Sequence, residues 1–438
     1  MNFEFVSCFV LRISDLIARK HDDTPMSENA KRVKHLVLVG DGMGDYPLDE
    51  LGGRTPLQAA ETPNMDRIAA CRVGLVRTIP EGMEPGSDVA NLSLLGYDPR
   101  VYHTRRAPFE AASMRVELKP DEVAYRMNLV TLDFNSDHEV IMVSHSSGDL
   151  PAEDARRIVD DLKKELKFPG TMIYQGVGYR HLLVWQNGPE EAATIPPHDV
   201  LGQNMASYLN QAADNQVQRL IRSSWPILKH HPVNRKRRDQ KEKEANSIWL
   251  WGQGRAPRLP RFVDKYGVKG AVICAVDLLR GMGIYAGFEP IYVQGATGYL
   301  NTNYRGKADA ALQALTRMDF VFLHVEAPDE AGHAGNPGEK IEAIENFDSK
   351  VVGTVLEGLE RFDDFRVMVV SDHLTPIVKR THTAEPTPFA WASKSELNRA
   401  GTGAGFSEAS ARNSGLLIEK GHELMDHFIL EPAVANRS

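Results

Sequence analysis

Short apolar runs, each followed at once by acidic or imidazole side chains, constrain the fold of this chain more than any other feature. The clearest runs are residues 34–40, 319–325 and 366–370. Asp41 follows the first run, Asp329 and His333 come just after the second, and Asp372 and His373 come just after the third. Runs of this length that are rich in branched residues and end at glycine or polar residues are typical of buried strands. Because parallel strands bring their carboxyl ends to one edge of a sheet, the pattern predicts an α/β protein with a polar site at that edge.

Helical segments alternate with these strands. Thr62 and Pro63 supply a cap candidate and a proline at the first helical position, and an apolar face follows them. Ser87 lies at or just before a second helix N-terminus, where backbone N–H groups point at bound anions. Residues 341–355 carry apolar side chains at helical spacing. This alternation of strands and helices supports the α/β class.

The chain divides into four segments by its composition. We expect a loose N-terminal extension at 1–30, a first part of the main domain at 31–118, an inserted lid or substrate domain at 119–226 and a second part of the main domain at 227–438. The insert has its own apolar segments at 123–132 and 181–185, and a helix is predicted at 152–166. The strongly charged segment at 229–245 is predicted to be a solvated connector back to the main sheet.

Charge and cysteine usage narrow the class of protein. A net charge of −8 and a pI near 6.0 argue against a general nucleic-acid binder, because such a chain would not neutralise a run of phosphates. No apolar stretch is long enough to cross a bilayer. Cys8, Cys71 and Cys274 are odd in number and share no CxxC spacing, which fits a reducing compartment. We therefore expect a cytoplasmic protein that is not associated with membranes, while the oligomeric state stays open.

The polar residues after the strands have the spacing of metal ligands. Asp329 and His333 are four positions apart and would share one face of a helical turn, Asp372 and His373 are adjacent, and His382 follows a short loop. Each feature alone is more often a turn, a cap or an exposed polar face. Their joint occurrence at predicted strand ends, beside Ser87 at a helix start, predicts a site for two divalent cations. The sequence Gly-Asp-Gly-Met-Gly at 40–44 lacks the third glycine of the dinucleotide-binding pattern GxGxxG and the Gly-Lys-Ser/Thr of a P-loop, so it does not indicate a nucleotide loop.

Long ordered strings then carry a resemblance to a known family. They include VLVGDGMGDYPLDELGGRTPLQAAETPNMD, PEGMEPGSDVANLSLLGYDP, HVEAPDEAGH, SDH and RTHT, and they extend collinearly over residues 34–428. The chain resembles the archaeal-type cofactor-independent phosphoglycerate mutases of the alkaline phosphatase superfamily. That resemblance implies an alkaline phosphatase-like doubly wound sheet with an inserted smaller α+β domain.

The resemblance also implies a set of roles. Ser87 would be the nucleophile that forms a phosphoserine intermediate as 2-phosphoglycerate and 3-phosphoglycerate are interconverted in glycolysis and gluconeogenesis. The implied metal ligands are Asp329, His333 and His382 for one ion and Asp41, Asp372, His373 and the Ser87 oxygen for the other. The family suggests manganese, with zinc, cobalt or magnesium as alternatives. A homoserine kinase-like phosphotransferase and a metal-dependent phosphatase are the alternative functions.

A small phosphorylated acid would need cationic side chains to hold it. Arg106, Arg126, Arg180 and Lys269 are the candidates, with surface ion pairs as the alternative role of each. Asn128 and His181 are weaker candidates.

Two positions depart from the family pattern. Arg105 stands where relatives carry the glycine of TGRAP, which could alter a tight turn or add a substrate contact. Asp149 ends a segment, SHSSGD, in which relatives carry a basic group, and a carboxylate there would repel an anionic substrate.

Overall fold

The computed structural model describes residues 33–136, 138–210, 215–399, 401, 403 and 405–431. The extension predicted at 1–30 lies outside the described residues. The strands are β1 Lys34–Gly40, β2 Val73–Val76, β3 Glu122–Ser136, β4 Glu139–Ser144, β5 Thr171–Tyr174, β6 Arg180–Gln186, β7 Ser247–Gly254, β8 Gly270–Ile273, β9 Glu289–Ile291, β10 Phe320–Val325, β11 Phe365–Val370, β12 Thr387–Ser393 and β13 Leu417–Ile418.

Helices pack on both faces of the larger sheet, and a further group of helices packs on the smaller sheet. They are α1 Pro56–Ala59, α2 Pro63–Ala69, α3 Ser87–Leu94, α4 Pro99–Tyr102, α5 Arg106–Ser113, α6 Ala152–Glu165, α7 Ala206–Leu209, α8 Gln216–Ser223, α9 Trp225–Lys229, α10 Pro232–Asp239, α11 Phe262–Tyr266, α12 Asp277–Tyr285, α13 Tyr304–Ala314, α14 Ala327–Ala334, α15 Pro337–Phe347, α16 Thr354–Leu359, α17 Lys394–Leu397, α18 Glu408–Asn413 and α19 Leu424–Leu430. Between α15 and α16 the chain continues as a π-helical turn at Asp348–Gly353.

The main sheet has eight strands in the order β13-β2-β12-β11-β1-β10-β8-β9. Its centre is parallel, because β1 lies between β10 and β11 and runs in the same direction as both. Along β1, Leu36 and Leu38 pack into one apolar core, while Val37 and Val39 pack into a second core on the other face. A sheet with both faces buried needs apolar side chains at every position, which explains the unbroken apolar runs. The predicted α/β class is confirmed.

The smaller sheet has five strands and its own core. The strand β3 pairs with β6 and β7 along its first half and with β4 along its second half. The helix α6 packs Ile158, Val159 and Leu162 into this core. The helix predicted at 152–166 therefore forms within one residue of its expected end, and the strands β3 to β7 form an α+β unit inserted into the main domain.

The boundary predicted after residue 226 does not match the membership of the sheets. The strand β7 pairs with β3 in the smaller sheet, and the next strand of the main sheet is β8. The segment at 229–245 is also not simply a solvated connector, since α10 buries Asn234 and Arg237. Arg237 donates to the backbone oxygens of Lys243 (2.7 Å) and Ser147 (2.9 Å). The many charged residues of this segment suggested a solvated connector, but α10 forms there and packs one face on the insert.

Within the described residues, no helix is both long and apolar enough to span a membrane.

Candidate metal centre

The carboxyl ends of three adjacent parallel strands meet at one edge of the main sheet. Asp41 directly follows β1, and its backbone N–H donates to the Val325 oxygen at the end of β10 (2.9 Å). Asp372 and His373 follow β11, which flanks β1 on the other side. The strand order thus brings together side chains more than 300 positions apart in the sequence.

An outer cluster combines Asp329, His333 and His382. His333 Nε2 lies 3.3 Å from Asp329 Oδ2, and His382 Nε2 lies 3.4 Å from Asp329 Oδ1. The two imidazole Nε2 atoms are 3.0 Å apart. As predicted from their spacing, Asp329 and His333 lie on one face of α14. The His333 side chain is 36% exposed, so this cluster lies at the solvent-facing rim.

An inner cluster combines Asp41, Asp372, His373 and Ser87. His373 Nε2 lies 3.4 Å from Asp41 Oδ1 and 3.5 Å from Asp372 Oδ2. The Ser87 hydroxyl is 3.1 Å from the same nitrogen, at the first residue of α3. The three ligand-type side chains are buried, while Ser87 is partly exposed. His373 lies close to both clusters, whereas the family resemblance implied that it belongs to the inner cluster alone.

The electrostatics of the two clusters demand a positive charge. Burial raises the pKa of Asp41 well above its usual value, and the nearby carboxylates of Asp372 and Asp329 raise it further. Burial also acts to raise the pKa of Asp329, but hydrogen bonds to His333 and His382 outweigh it and hold the pKa well below the usual value. The hydrogen bond to Asp329 raises the pKa of His333 to about 9. Carboxylates this close together are stable as anions only beside cations.

The donor atoms fit divalent cations. Asp329, His373 and His382 offer ligand atoms that lie within 4.8 Å of one another, and so do Asp41, Asp372 and His373. In addition, Asp41 Oδ1 is buried and accepts no hydrogen bond from any residue that the structure describes. The imidazole donors suit zinc better than magnesium, which prefers oxygen ligands, and the carboxylates also suit manganese. His333 extends the first group, and the Ser87 hydroxyl extends the second.

Supporting hydrogen bonds fix the orientation of the carboxylates. Asn91, one turn after Ser87 in α3, donates to Asp372 Oδ2 (2.8 Å) and to the Ser87 backbone oxygen (2.9 Å). The Gly42 N–H donates to Asp372 Oδ1 (3.0 Å), and the Thr375 hydroxyl donates to Asp329 Oδ1. Groups that orient ligands in this way tune a metal site. The sequence analysis did not identify Asn91 or Thr375.

The three predicted arginines lie near one another, with Arg126 and Arg180 in the insert and Arg106 just before it. Arg126 stacks on Trp251, with its Cζ 4.1 Å from the ring centroid, and its Nε lies 2.9 Å from Glu110 Oε2. A Cβ placed on Gly252 would lie 3.6 Å from Arg126 Cδ and 3.9 Å from Arg106 Cβ, so these two arginines are neighbours. Arg180 lies over the Tyr179 ring at 5.4 Å. The buried Arg106 Nε has no hydrogen-bond acceptor among the residues described.

The remaining candidates have other positions. Lys269 precedes β8, and its backbone oxygen accepts hydrogen bonds from Asp319 and Phe320 where β10 begins. Asp329 follows the end of β10, which is six residues long and spans roughly 20 Å, so the Lys269 backbone lies at the opposite end of this strand, and its contact with substrate stays a prediction. The sequence pattern did not show at which end of β8 this lysine would lie. His181 is buried, and its Nδ1 accepts the Gly176 N–H (3.1 Å).

Asn128 links two aromatic groups of the insert. Its Oδ1 accepts the indole N–H of Trp251 (3.1 Å), and its Nδ2 donates to the backbone oxygen of His145 (3.1 Å). Asn128 is buried, so it orders the rings around it instead of facing solvent.

Comparison with known proteins identifies the family. A family model described as 2,3-bisphosphoglycerate-independent phosphoglycerate mutase matches residues 69–234. A Geobacter sulfurreducens protein named as a probable enzyme of that description is 49% identical over 400 residues, covering 91% of this chain and 100% of the relative. The chain belongs to the 2,3-bisphosphoglycerate-independent phosphoglycerate mutases. A second member of this family, from Methanothrix thermoacetophila, is 49% identical over 402 residues, which cover 90% of this chain and 98% of the relative.

A solved structure extends the likeness to the fold. The cofactor-independent phosphoglycerate mutase from Thermoplasma acidophilum is 25% identical and aligns with a TM-score of 0.59, covering 91% of this chain and 99% of that one. The resemblance to archaeal-type mutases is confirmed.

The two departures from the family pattern lie in unusual backbone conformations. Arg105, the N-cap of α5, has φ 66° and ψ −175°, a region that glycine adopts far more readily than other residues. This backbone conformation explains why a glycine would be expected at the position that Arg105 occupies. Asp149 has φ 51° and is exposed on the loop after β4.

Two buried basic residues beside the centre escaped the sequence analysis. Lys307 in α13 is fully buried and donates to the backbone oxygen of His324 (3.1 Å), and burial lowers its pKa to about 8. His324 Nε2 lies 3.1 Å from Asp41 Oδ2, and burial lowers the pKa of His324 to about 4. Lys307 falls on the apolar stripe of its helix, which is the one signal that could have revealed it.

Proposed function

We propose that this protein interconverts 2-phosphoglycerate and 3-phosphoglycerate through a phosphoserine at Ser87. The observation that carries the proposal is the position of the Ser87 hydroxyl, 3.1 Å from His373 Nε2, at a helix N-terminus beside two carboxylate–imidazole clusters. Family membership supports the same reaction, since the relatives described above are named as mutases. Those names favour the mutase over a homoserine kinase-like enzyme or a phosphatase.

The first step is attack on the phosphoryl group. The Ser87 oxygen forms a bond to phosphorus as it loses its proton, and the bond between phosphorus and the substrate oxygen breaks. The N-terminus of α3 places backbone N–H groups and the positive end of the helix dipole beside the transferred group. The departing oxygen takes up a proton and leaves as the free hydroxyl of glycerate.

Two bound cations fit this chemistry. We propose Asp329, His333 and His382 as ligands of one ion and Asp41, Asp372, His373 and Ser87 as ligands of the other. When bound, such ions lower the pKa of a serine hydroxyl and neutralise charge on phosphoryl oxygens. Manganese is the proposed ion, because the resemblance to the archaeal-type mutases implies it and the carboxylate ligands suit it.

The second step returns the phosphoryl group to the other hydroxyl of the same glycerate. This step requires that glycerate stays bound and that water stays out, since water would convert the mutase into a phosphatase. Arg106, at the start of α5 just before the insert, lies near Arg126 and Arg180 of the insert, and together they could supply positive charge to retain an acid. We propose that they hold the substrate carboxylate and phosphate.

The experiment is an assay of the metal-supplemented protein with 3-phosphoglycerate. We expect 2-phosphoglycerate to form without release of phosphate, and we expect no ATP-dependent phosphorylation of homoserine. Chelation should abolish turnover, and manganese should restore it best. Turnover that persists in chelator would contradict the proposed metal centre.

The nucleophile is tested separately with Ser87→Ala. This variant should lose turnover, and its intact mass should no longer increase by one phosphoryl group on incubation with substrate. Because Asp41, Asp372 and His373 are unchanged, most of the metal affinity should remain. Full activity of this variant would contradict the assignment.

We also propose a cytoplasmic location, because the free thiols of Cys71 and Cys274 fit a reducing compartment and the proposed substrates are metabolites of central carbon metabolism.

A further inference from the structure

Two histidines on different loops of the insert face each other beside the arginines. His145 follows β4, and His198 lies in a 3-10 turn at Pro197–Val200. Their ring centroids are 6.3 Å apart, with the planes nearly perpendicular. No role was predicted for either residue from the sequence, and neither is a ligand-type member of the two clusters.

The aromatic groups between them connect the histidines to the cationic side chains. His198 packs edge-on against Trp251 at 5.3 Å, and Arg126 stacks on the same indole. His145 packs edge-on against Tyr179 at 5.7 Å, and Arg180 lies over that ring. We call the two histidines, these two arginines and Arg106 the insert cation cluster.

This cluster lies next to the catalytic end of the main domain. Burial raises the pKa of Glu326 to about 7, and the nearby charge of Arg106 acts in the opposite direction. Burial likewise raises the pKa of Glu330, and the charge of Arg180 opposes it. Both glutamates flank Asp329 at the start of α14, so Arg106 and Arg180 lie within electrostatic range of the helix that carries a proposed metal ligand.

We propose that His145 and His198 contact the substrate directly, completing with the three arginines an anion-binding surface that takes up a proton when the phosphorylated acid binds. The proposal rests on the proposed function, because it names further binding residues for the same substrate.

The surroundings of the two rings determine the direction of the proton movement. Partial burial lowers the pKa of both histidines, and for His198 the charges of Arg106 and Arg126 act in the same direction and against that of Asp199, so the surroundings favour the neutral form of both rings in the free protein. The other charged groups that face them are Asp149 and Lys243 around His145, and Asp199, 3.5 Å from His198 Nε2. A bound phosphate or carboxylate reverses this balance, because an anion in contact favours the protonated imidazole.

The physical reason for neutral rings is selectivity. Five permanent cations would attract any anion, including inorganic phosphate and nucleic acid. Rings that become charged only against a well-placed anion add binding energy for the substrate alone. A neutral imidazole also donates one N–H and can serve the hydroxyl groups of glycerate.

The test compares His145→Gln, His198→Gln and the double variant with His138→Gln. His138 is an exposed histidine of the same insert, in the turn between β3 and β4, and is the matched control. Since a hydrogen bond to a charged group contributes about tenfold in affinity, we expect each single variant to raise KM for 3-phosphoglycerate about tenfold and to change kcat less. The control should behave as the wild type.

Proton uptake separates contact from a merely structural role. Metal-loaded Ser87→Ala protein, which cannot turn over, is titrated with 3-phosphoglycerate by calorimetry at pH 7 in two buffers with different ionisation enthalpies. The difference in heat gives the number of protons taken up, which should be clearly positive with both histidines present and near zero in the double variant.

The outcomes distinguish this proposal from the proposed function. An unchanged KM and unchanged proton uptake in the double variant would refute the role of the histidines while leaving the mutase intact. Absence of mutase turnover in the wild type, with proton uptake that disappears in the double variant, would refute the function and leave the binding surface. Because His198 is exposed, its single variant should fold normally even if the double variant does not.

Discussion

The substitution Gly42→Ala should disable the proposed metal centre, because the added methyl group would collide with Asp329 and Thr375. Gly42 has φ +60°, and a Cβ built on it would lie 2.5 Å from Thr375 Oγ1, 2.7 Å from Asp329 Oδ1 and 2.9 Å from Asp329 Cα. The last of these is backbone of α14 and cannot rotate away. The Asp329 carboxylate must therefore move, and the Gly42 N–H that orients Asp372 moves with it.

Gly52 supplies a matched control. It has φ +66° and is exposed, and a Cβ built there has nothing within 4 Å. An alanine in the left-handed region costs about 1–2 kcal/mol at either position. Overpacking should add about 1–3 kcal/mol at Gly42 alone.

The larger difference should be in activity. A displacement of about 1 Å in a catalytic site reduces the rate on the order of 100-fold, so Gly42→Ala should lose about that factor and Gly52→Ala less than about twofold. Metal affinity by competition with a chelator and kcat for 3-phosphoglycerate are the measurements. If both variants lose the same stability and neither loses activity, the geometry described for Gly42 and Asp329 is not that of the working site.

Three further predictions concern stability. Lys340→Met should lower the free energy of unfolding in urea by about 3–5 kcal/mol, because it leaves the fully buried Asp45 carboxylate without the ammonium 2.7 Å away. Adding Asp45→Asn to this variant should recover part of that loss. As a control, Lys420→Met removes one partner of an exposed ion pair and should cost under about 1 kcal/mol. Burial lowers the pKa of His35 from 6.5 to about 4, so the unfolded chain binds the extra proton between these values and His35 should contribute roughly 3 kcal/mol to the stability lost from pH 7 to pH 4; an equal total loss in His35→Leu and in the wild type would contradict this. Arg105→Gly should raise stability by about 1 kcal/mol by relieving its backbone conformation, and a lower melting temperature would show that the Arg105 side chain contributes more than this.

The parts of the site that could be predicted lie at the ends of strands. Asp41, Asp372 and the helix that carries Asp329 each follow a run of apolar residues, and the position after such a run is fixed by where the run stops. Parallel strands then place these ends at one edge, whatever their order. The order β11-β1-β10, which sets the distances between the clusters, could not be predicted from the runs alone.

The parts that could not be predicted depend on pairing partners. The strand β7 contains apolar residues that would suit either sheet, and only its pairing with β3 assigns it to the insert. Lys269 illustrates the same limit, since its position at the beginning of β8 follows from strand direction. His145 and His198 come together because one loop packs His198 on Trp251 and the other packs His145 on Tyr179, and no spacing in the sequence relates them.

Buried lysines on apolar helix stripes are a signal that a sequence does contain. Lys307 falls beside Tyr304 and Ala311 on the buried face of α13, and Lys340 falls beside Ala343 and Phe347 on that of α15. Desolvating an ammonium costs several kcal/mol unless oxygens surround it, so a lysine at such a position implies a polar space at its tip. Both ammonium groups lie beside segments that carry the proposed ligands. Lys307 donates to the backbone oxygen of His324 near the end of β10, and Lys340 donates to the backbone oxygens of Gly44 and Thr375. A charged residue on an otherwise apolar stripe therefore marks the helices that pack against a charged centre, even before the strand order is known.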